Sequence, residues 1–281
     1  MGDTSKATGR WADLGPRLAS GLAMAGGGIF LIWLGGWWFA GLAIIAGGLM
    51  VWELAQMLKR EGGNGSRALG LLAALGLLVA VGARETWPAL GGGVGNFGWG
   101  WGGVLIALPA IIALVLPLRD KAIFVVYSVL ILQAAYGLVT FRADHGGLWL
   151  IWLVLVVVAS DIGGYFGGRL IGGPKFWPRV SPKKTWAGVV TGWIAAALVG
   201  LAFNGFTTAG ADLPWISAAI AFASQLGDIA ESAIKRRAGV KDSSNLIPGH
   251  GGLLDRFDGL LGAAIVMLVV AMIVVVPEVR T

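Results

Sequence analysis

From Leu18 to Trp52 the chain runs for 35 residues without a charged side chain. One upright bilayer crossing takes about 20 residues, so this stretch suits two short crossings that turn at Gly35-Gly36. Further apolar runs lie near 68–83, 100–118, 122–141, 147–168, 187–204, 212–227 and 259–277, each bounded by charge, Pro or Gly. The expected architecture is an all-α, polytopic integral membrane protein with about nine transmembrane helices. Charged residues are 13% of the 281, against about 25% in soluble domains, and they cluster between the runs, which excludes an ordinary soluble enzyme or a disordered chain. With no Cys, disulfides, thiolate nucleophiles and zinc-thiolate sites are excluded too.

Numbering nine spans sorts the basic residues sharply. Eighteen Lys and Arg fall in the N-terminal tail and the loops after spans two, four, six and eight, and three fall on the other side. By the positive-inside rule the N-terminus is cytoplasmic and Thr281 faces outward, in a cell inner (cytoplasmic) membrane. The net charge of +6 then belongs to one membrane face, and no nucleic-acid partner is expected. The apolar run after the basic first 17 residues has no Ala-x-Ala pattern near its end and reads as a retained anchor. Gly26–Gly28, Gly35-Gly36 and Gly91–Gly93 suit close packing or turns, and glycine-rich spans permit a homodimer. The division expected is 1–145, N-terminal membrane helices, and 146–281, a catalytic membrane region with cytoplasmic loops 169–186 and 228–258.

Those two loops hold most of the polar chemistry and should face each other. If span eight continues as a helix, Asp228, Glu231, Ser232 and Lys235 share one face, with carboxylates at the membrane end and a cation beyond. Asp255 and Asp258, three apart before the last run, also point one way, and a hard cation such as Mg2+ prefers such oxygen donors together with phosphates. Gly249, Gly251 and Gly252 surround His250 in a turn able to bring backbone N–H groups to phosphate. His250 is open to metal, acid/base or anchoring roles, of which phosphate contact or positioning is favoured. Lys235, Arg236, Arg237 and Lys241 interleave with carboxylates, a pattern that suits a metal-polyphosphate complex and phosphoryl or nucleotidyl transfer. Asp161, deep in span six, is a functional candidate by its depth, with pairing to Arg142 or Arg169 the alternative. Ser181, Lys184 and Thr185 offer hydroxyl and ammonium groups to phosphate.

The segment Ser232 to Asp258 resembles the signature of the phosphatidate cytidylyltransferase (CDP-diacylglycerol synthase) family, through Ser232, Lys235, Arg236, Lys241, Asp242, Pro248, His250, Gly251, Gly252, Asp255, Arg256 and Asp258. Asp161 with Tyr165, Gly168 and Arg169, then Ser181-Pro-x-Lys184-Thr185, then Gly227-Asp228 with Glu231 resemble the family's other segments, in order. The first 140 residues are similar only in general, in their spans, Arg17 and Glu53. Two positions depart: Gly164 stands for Ala, and Ala187 for a common Glu, removing a charge beside the pocket.

The resemblance implies cytidylyl transfer from CTP to phosphatidic acid, giving CDP-diacylglycerol and pyrophosphate at the cytosolic face. It implies a metal centre of Asp228 and Asp255 with Asp258 close, holding Mg2+ and leaving a second site for a monovalent cation such as K+. Lys235, Arg236 and Lys241 would steady phosphates, Ser181, Lys184 and Asp161 would place lipid or nucleotide, and Thr185, Ser232, His250, Gly251, Gly252 and Arg256 would complete the binding site. Competing expectations are CTP-dependent transfer to, or phosphorylation of, another lipid such as a polyprenyl species, and ion transport.

Overall fold

The computed structural model describes residues 25–59, 65–86, 101–247 and 251–278. His250, Arg17 and Gly91–Gly93 lie outside them. Its helices are α1 (Ala25–Leu34), α2 (Gly36–Leu58), α3 (Ser66–Thr86), α4 (Trp101–Ala113), α5 (Lys121–His145), α6 (Leu148–Leu170), α7 (Trp186–Asn204), α8 (Leu213–Ala238) and α9 (Leu254–Ile273). Six of the described helices, α2, α3, α5, α6, α7 and α9, are long and apolar enough to cross a membrane. The chain is a multi-pass membrane protein.

The ends of these helices follow from local chemistry. The break between α1 and α2 falls at Gly35 and Gly36, whose φ angles of 65° and 50° lie in the region that side chains disfavour. The 100–118 run is helical only to Ala113, because Pro117 cannot continue a helix and forces the residue before it to extend. At 26 residues α8 is the longest element, yet its apolar part ends at Gly227, and the charges beyond keep it out of the six. Gly239, left-handed at φ 76°, terminates it.

Two expectations need correcting. The described part of the 228–258 region is largely helical, since good helix formers and the Glu231–Lys235 pair at i,i+4 carry α8 through Ala238, and α9 begins at Leu254. The 169–186 loop contains an antiparallel hairpin, β1 (Lys175–Trp177) with β2 (Ser181–Thr185), so the protein is α-helical with one small sheet. Gly26–Gly28 meet nothing within 4 Å among the described residues, where their expected packing role is not seen.

Packing runs α2 on α3, α3 on α4, α2 on α5, α5 on α9, α6 on α7, α7 on α8 and α8 on α9. Buried Leu54, Leu58, Phe124, Ile131, Leu132, Phe141, Leu150, Leu153 and Ile220 form the shared core, while Trp38, Leu71, Ile194, Leu198, Leu201 and Trp215 face outward as a lipid-exposed surface does. The bundle has two polar ends. One joins Leu58 to Arg119, Asp120 to Arg237, and the hairpin to α8. The other joins Arg142 to the carbonyls of Ile32 and Trp33, Trp149 to Pro277, and Thr208 to Glu278.

Candidate active site

Glycine decides how closely the site-bearing helices approach. On α6, Gly163 faces Thr191 and Ala195 of α7, and Gly164 and Gly168 face Gly188 and Thr185. Gln225 of α8 ties the three helices together. Its Nε2 donates to Ser160 Oγ and the Val189 carbonyl, both at 3.3 Å, and its Oε1 accepts from Trp193 Nε1 at 3.1 Å. Buried polar groups this deep must be bonded, and the three partners satisfy that. Asp161 stands beside this contact, about 14 Å along α6 from its Leu170 end, on a 1.5 Å rise per residue. It is nevertheless exposed, and lies within electrostatic range of Asp228 and Lys184. Neither expected arginine pairs with it: Arg142 bonds carbonyls at the opposite end, and Arg169 donates to the Tyr165 hydroxyl at 2.6 Å.

Lys184, at the end of β2, reaches α8 and donates to Asp228 Oδ2 at 2.6 Å and to the Gln225 carbonyl at 3.3 Å. The hairpin thus meets the helical start of the 228–258 region, on α8. Across α8 and α9, Gly227 meets the Asp258 carbonyl and Gly262 the Ala223 carbonyl. A Cβ on Gly259 would lie 2.7 Å from Ser224 Oγ and 2.8 Å from Asp228 Oδ1, so these oxygens sit against bare α9 backbone. Asp258 accepts from its neighbour Gly259 N at 2.8 Å and is within electrostatic range of Asp228 and Glu231. Ser224 Oγ and the Tyr127 hydroxyl are buried with no hydrogen-bond partner among the described residues, and Tyr127 faces the charges of Glu231, Asp258 and Asp228.

A second cluster lies one turn further out. Lys235 pairs with the fully buried Glu231 and donates to Asp255 Oδ1 at 2.6 Å. Asp255 Oδ2 accepts from Gly252 N at 2.7 Å, Ser243 N at 2.8 Å and Ser243 Oγ at 2.9 Å. The Ser243 hydroxyl also stands 3.3 Å from Glu53 Oε2 of α2, which joins this cluster to the N-terminal half. Glu53, Ser224, Gln225, Ser243 and Ser244 are site residues that sequence reasoning did not select. A charge ending an uncharged stretch was the visible signal for Glu53.

The remaining expected residues take varied places. Arg236, Lys241 and Arg256 are exposed, and Ser232 is half-buried on α8. Ser181 begins β2 opposite Trp177. Thr185 is buried, and its hydroxyl accepts from Gly188 N at 3.2 Å as the N-cap of α7. Gly251 has φ 84°, and Gly252 is buried against Ser243 and Glu53. Outside the cluster, Arg237 holds Asp120 at 2.8 and 3.0 Å, and this hydrogen bonding keeps the Asp120 carboxyl below its ordinary range.

Among the described residues no three His, Asp or Glu side chains are arranged around one metal position. Asp255 is turned to Lys235 and the loop, so it does not join Asp228 and Asp258. The chemistry of the donors still fits a hard cation: Asp228, Asp258 and the partnerless Ser224 hydroxyl offer oxygen alone, and Mg2+ takes one or two carboxylates with substrate phosphates.

Carboxylates alternating with lysines on glycine-packed helix ends are a frame for phosphate chemistry. A model described as the cytidylyltransferase family matches residues 16–274. The chain belongs to the cytidylyltransferase family. Phosphatidate cytidylyltransferase of Brucella suis biovar 1 is 43% identical over 150 residues, covering 52% of this chain and 56% of that protein. The Haemophilus influenzae phosphatidate cytidylyltransferase is 45% identical over 126 residues, 42% of this chain and 44% of its own. That of Mycobacterium bovis is 37% identical over 147 residues, 50% of this chain and 46% of its own. The chain thus spans about half the length of the curated relatives it matches. The family resemblance read from the signature is borne out by these matches.

Proposed function

We propose that this chain transfers the cytidylyl group of CTP to phosphatidic acid, yielding CDP-diacylglycerol and pyrophosphate. The observation that carries the proposal is the row of charges running from Asp161 through Lys184, Asp228 and Asp258 to Glu231, Lys235 and Asp255, at one end of a membrane bundle. Its exposed end, Asp161, lies at lipid depth, and its other end meets the polar 239–253 loop. That arrangement suits one substrate anchored in the bilayer and one arriving from water. The family match and the names of the relatives support the same reading.

A phosphate oxygen of phosphatidate attacks the α phosphorus of CTP. The new P–O bond forms as the bond to the β-phosphate oxygen breaks, and pyrophosphate leaves with the electron pair. Near neutral pH a phosphate monoester is largely ionised, its second pKa being about 6, so no strong base is needed. What the site must supply is positive charge for oxygens that gain charge in the transition state. Lys184 and Lys235 would supply it, together with the exposed Arg236, Lys241 and Arg256. Asp228 and Asp258, with Ser224, would hold Mg2+, which would supply electrophilic charge to the phosphates. Asp255 fits the ion less well while Lys235 occupies Oδ1, and the second, monovalent cation such as K+ that the family resemblance implies is given no ligand here. Asp161 and Ser181 would orient the lipid phosphate, Ser232, His250, Gly251 and Gly252 the nucleotide phosphates, and Thr185 would act through the α7 cap.

Nine spans with a cytoplasmic N-terminus belong to the same proposal. They are supported by the crowding of Lys and Arg at the end that carries the site. A homodimer is supported by the Gly26–Gly28 stripe, which meets no other described residue within 4 Å. The test is purified protein in vesicles containing phosphatidate, with CTP and titrated Mg2+. The expected result is CDP-diacylglycerol and pyrophosphate in equal amounts. Preference for a polyprenyl phosphate acceptor, or ion flux without CTP turnover, would overturn the reading.

A further inference from the structure

Glu53 belongs to α2, but its hydrogen-bond donors come from the segment just before and at the start of α9. Ser244 Oγ donates to it at 2.6 Å, Leu254 N at 2.7 Å and Leu253 N at 2.9 Å, and Ser243 Oγ stands at 3.3 Å. The residue is 0% exposed. All four partners are donors, the arrangement that suits a carboxylate accepting on both oxygens. The first backbone N–H groups of a helix lack intrahelical acceptors, and no side chain of α9 caps its own start. Glu53 supplies that cap from another helix, and a negative group there also complements the α9 dipole.

We propose that Glu53 is a positioning residue for the catalytic loop, setting the direction in which Asp255 presents its carboxylate. The coupling runs through two contacts. Ser243 has one hydroxyl proton and two carboxylate neighbours, Glu53 at 3.3 Å and Asp255 at 2.9 Å, so its placement depends on both. Gly252 donates to Asp255, and a Cβ there would come within 2.6 Å of Glu53 Oε1, so the backbone reaches Asp255 only by passing tightly over Glu53. With Oδ2 held by Ser243 and Gly252, Asp255 leaves Oδ1 for Lys235. The N-terminal half of the chain thereby sets the geometry of the C-terminal site. This inference rests on the proposed reading that Lys235 and Asp255 serve cytidylyl transfer.

The test compares the full chain with Glu53→Gln and Glu53→Asp in phosphatidate vesicles, reading kinetics and amide hydrogen exchange together. Glu53→Gln keeps the volume but turns an NH2 group toward other donors. Loss of bonds to a charged group predicts kcat per folded molecule lower by about 10- to 100-fold. KM for phosphatidate should stay within about twofold, because the lipid does not touch Glu53. Exchange at 252–255 should quicken, and exchange in α5 and α6 should not. Glu53→Asp should recover part of kcat, and it decides the matter if Glu53→Gln does not fold. Unchanged kcat per folded molecule, or exchange quickened throughout the bundle alike, would overturn the proposal. If wild-type protein makes no CDP-diacylglycerol, the functional reading fails, while the exchange arm still decides whether Glu53 holds the loop.

Discussion

Two carboxylates a short way apart at the same end of the bundle are treated very differently. Asp255 is saturated, with Lys235 on one oxygen and three donors from the 243–252 loop on the other. Asp228 has one ammonium partner, an oxygen against the bare Gly259 backbone, and a partnerless serine hydroxyl beside it. A saturated carboxylate holds its surroundings in place, whereas one with acceptor capacity to spare can take up a cation or a phosphate-bound water. The difference separates a frame from a reaction centre.

The sharpest way to break that comparison is to neutralise each acid in turn. Asp228→Asn should lower kcat by about 10³-fold or more, the scale of losing a principal electrostatic group, with little change in thermal midpoint. Asp255→Asn should be as inactive and also less stable, because the amide group that replaces one oxygen faces donors of Ser243 and Gly252. Turnover assays at saturating Mg2+ paired with thermal unfolding in detergent would show it. Equal stability of the two variants would erase the distinction, and substantial turnover of Asp228→Asn would remove Asp228 from the centre.

Lysine replacement is the next test. Lys235→Met leaves Glu231, fully buried, and Asp255 without their cation, a change expected to cost about 3–5 kcal/mol. Lys184→Met should cost less, since both partners keep 27% side-chain exposure and water can replace the ammonium. Activity should fall in both, so the stability gap, read by denaturation, is the discriminating quantity. A smaller loss at Lys235 than at Lys184 would contradict the frame assignment.

Gly259→Ala probes the contact that presents Asp228. The added methyl must displace Ser224 Oγ or Asp228 Oδ1, and overpacking of this kind typically costs about 1–3 kcal/mol. The expected signature is a kcat loss with a moderate drop in thermal midpoint, and a variant as active as wild type would show that Asp228 needs no such approach.

These residues also show what a sequence makes legible. Periodic apolar runs and the Gly35-Gly36 pair reveal helices and their break, because the forces that set them act over a turn or two of chain. The carboxylate-lysine alternation around Lys235 is visible for the same reason, since Glu231 and Lys235 are one helical turn apart. The direction of a side chain is another matter. Asp228 and Lys184 are 44 positions apart, and Glu53 meets Leu254 across 201 positions. Nothing local distinguishes the acid that will be saturated from the one left open; that is set by which helices glycine allows to touch. The hairpin escaped for a related reason, its Pro and Lys residues carrying no alternating apolar pattern.

The smallest effect is expected at Asp120 and Arg237, an ion pair at the same end of the bundle but on its exposed rim. If burial, and not the mere presence of paired charges, gives the Lys235 cluster its weight, Asp120→Asn should scarcely alter kcat or thermal midpoint at neutral pH. Hydrogen bonding to Arg237 holds the folded Asp120 carboxyl below the unfolded value, so its contribution is present above that unfolded value and is lost as pH falls through the folded one. The difference in thermal midpoint between wild type and Asp120→Asn should therefore shrink on acidification through the lower carboxylate range, and should also shrink with added salt. A large, salt-insensitive difference would mean that this rim pair, too, is part of the frame.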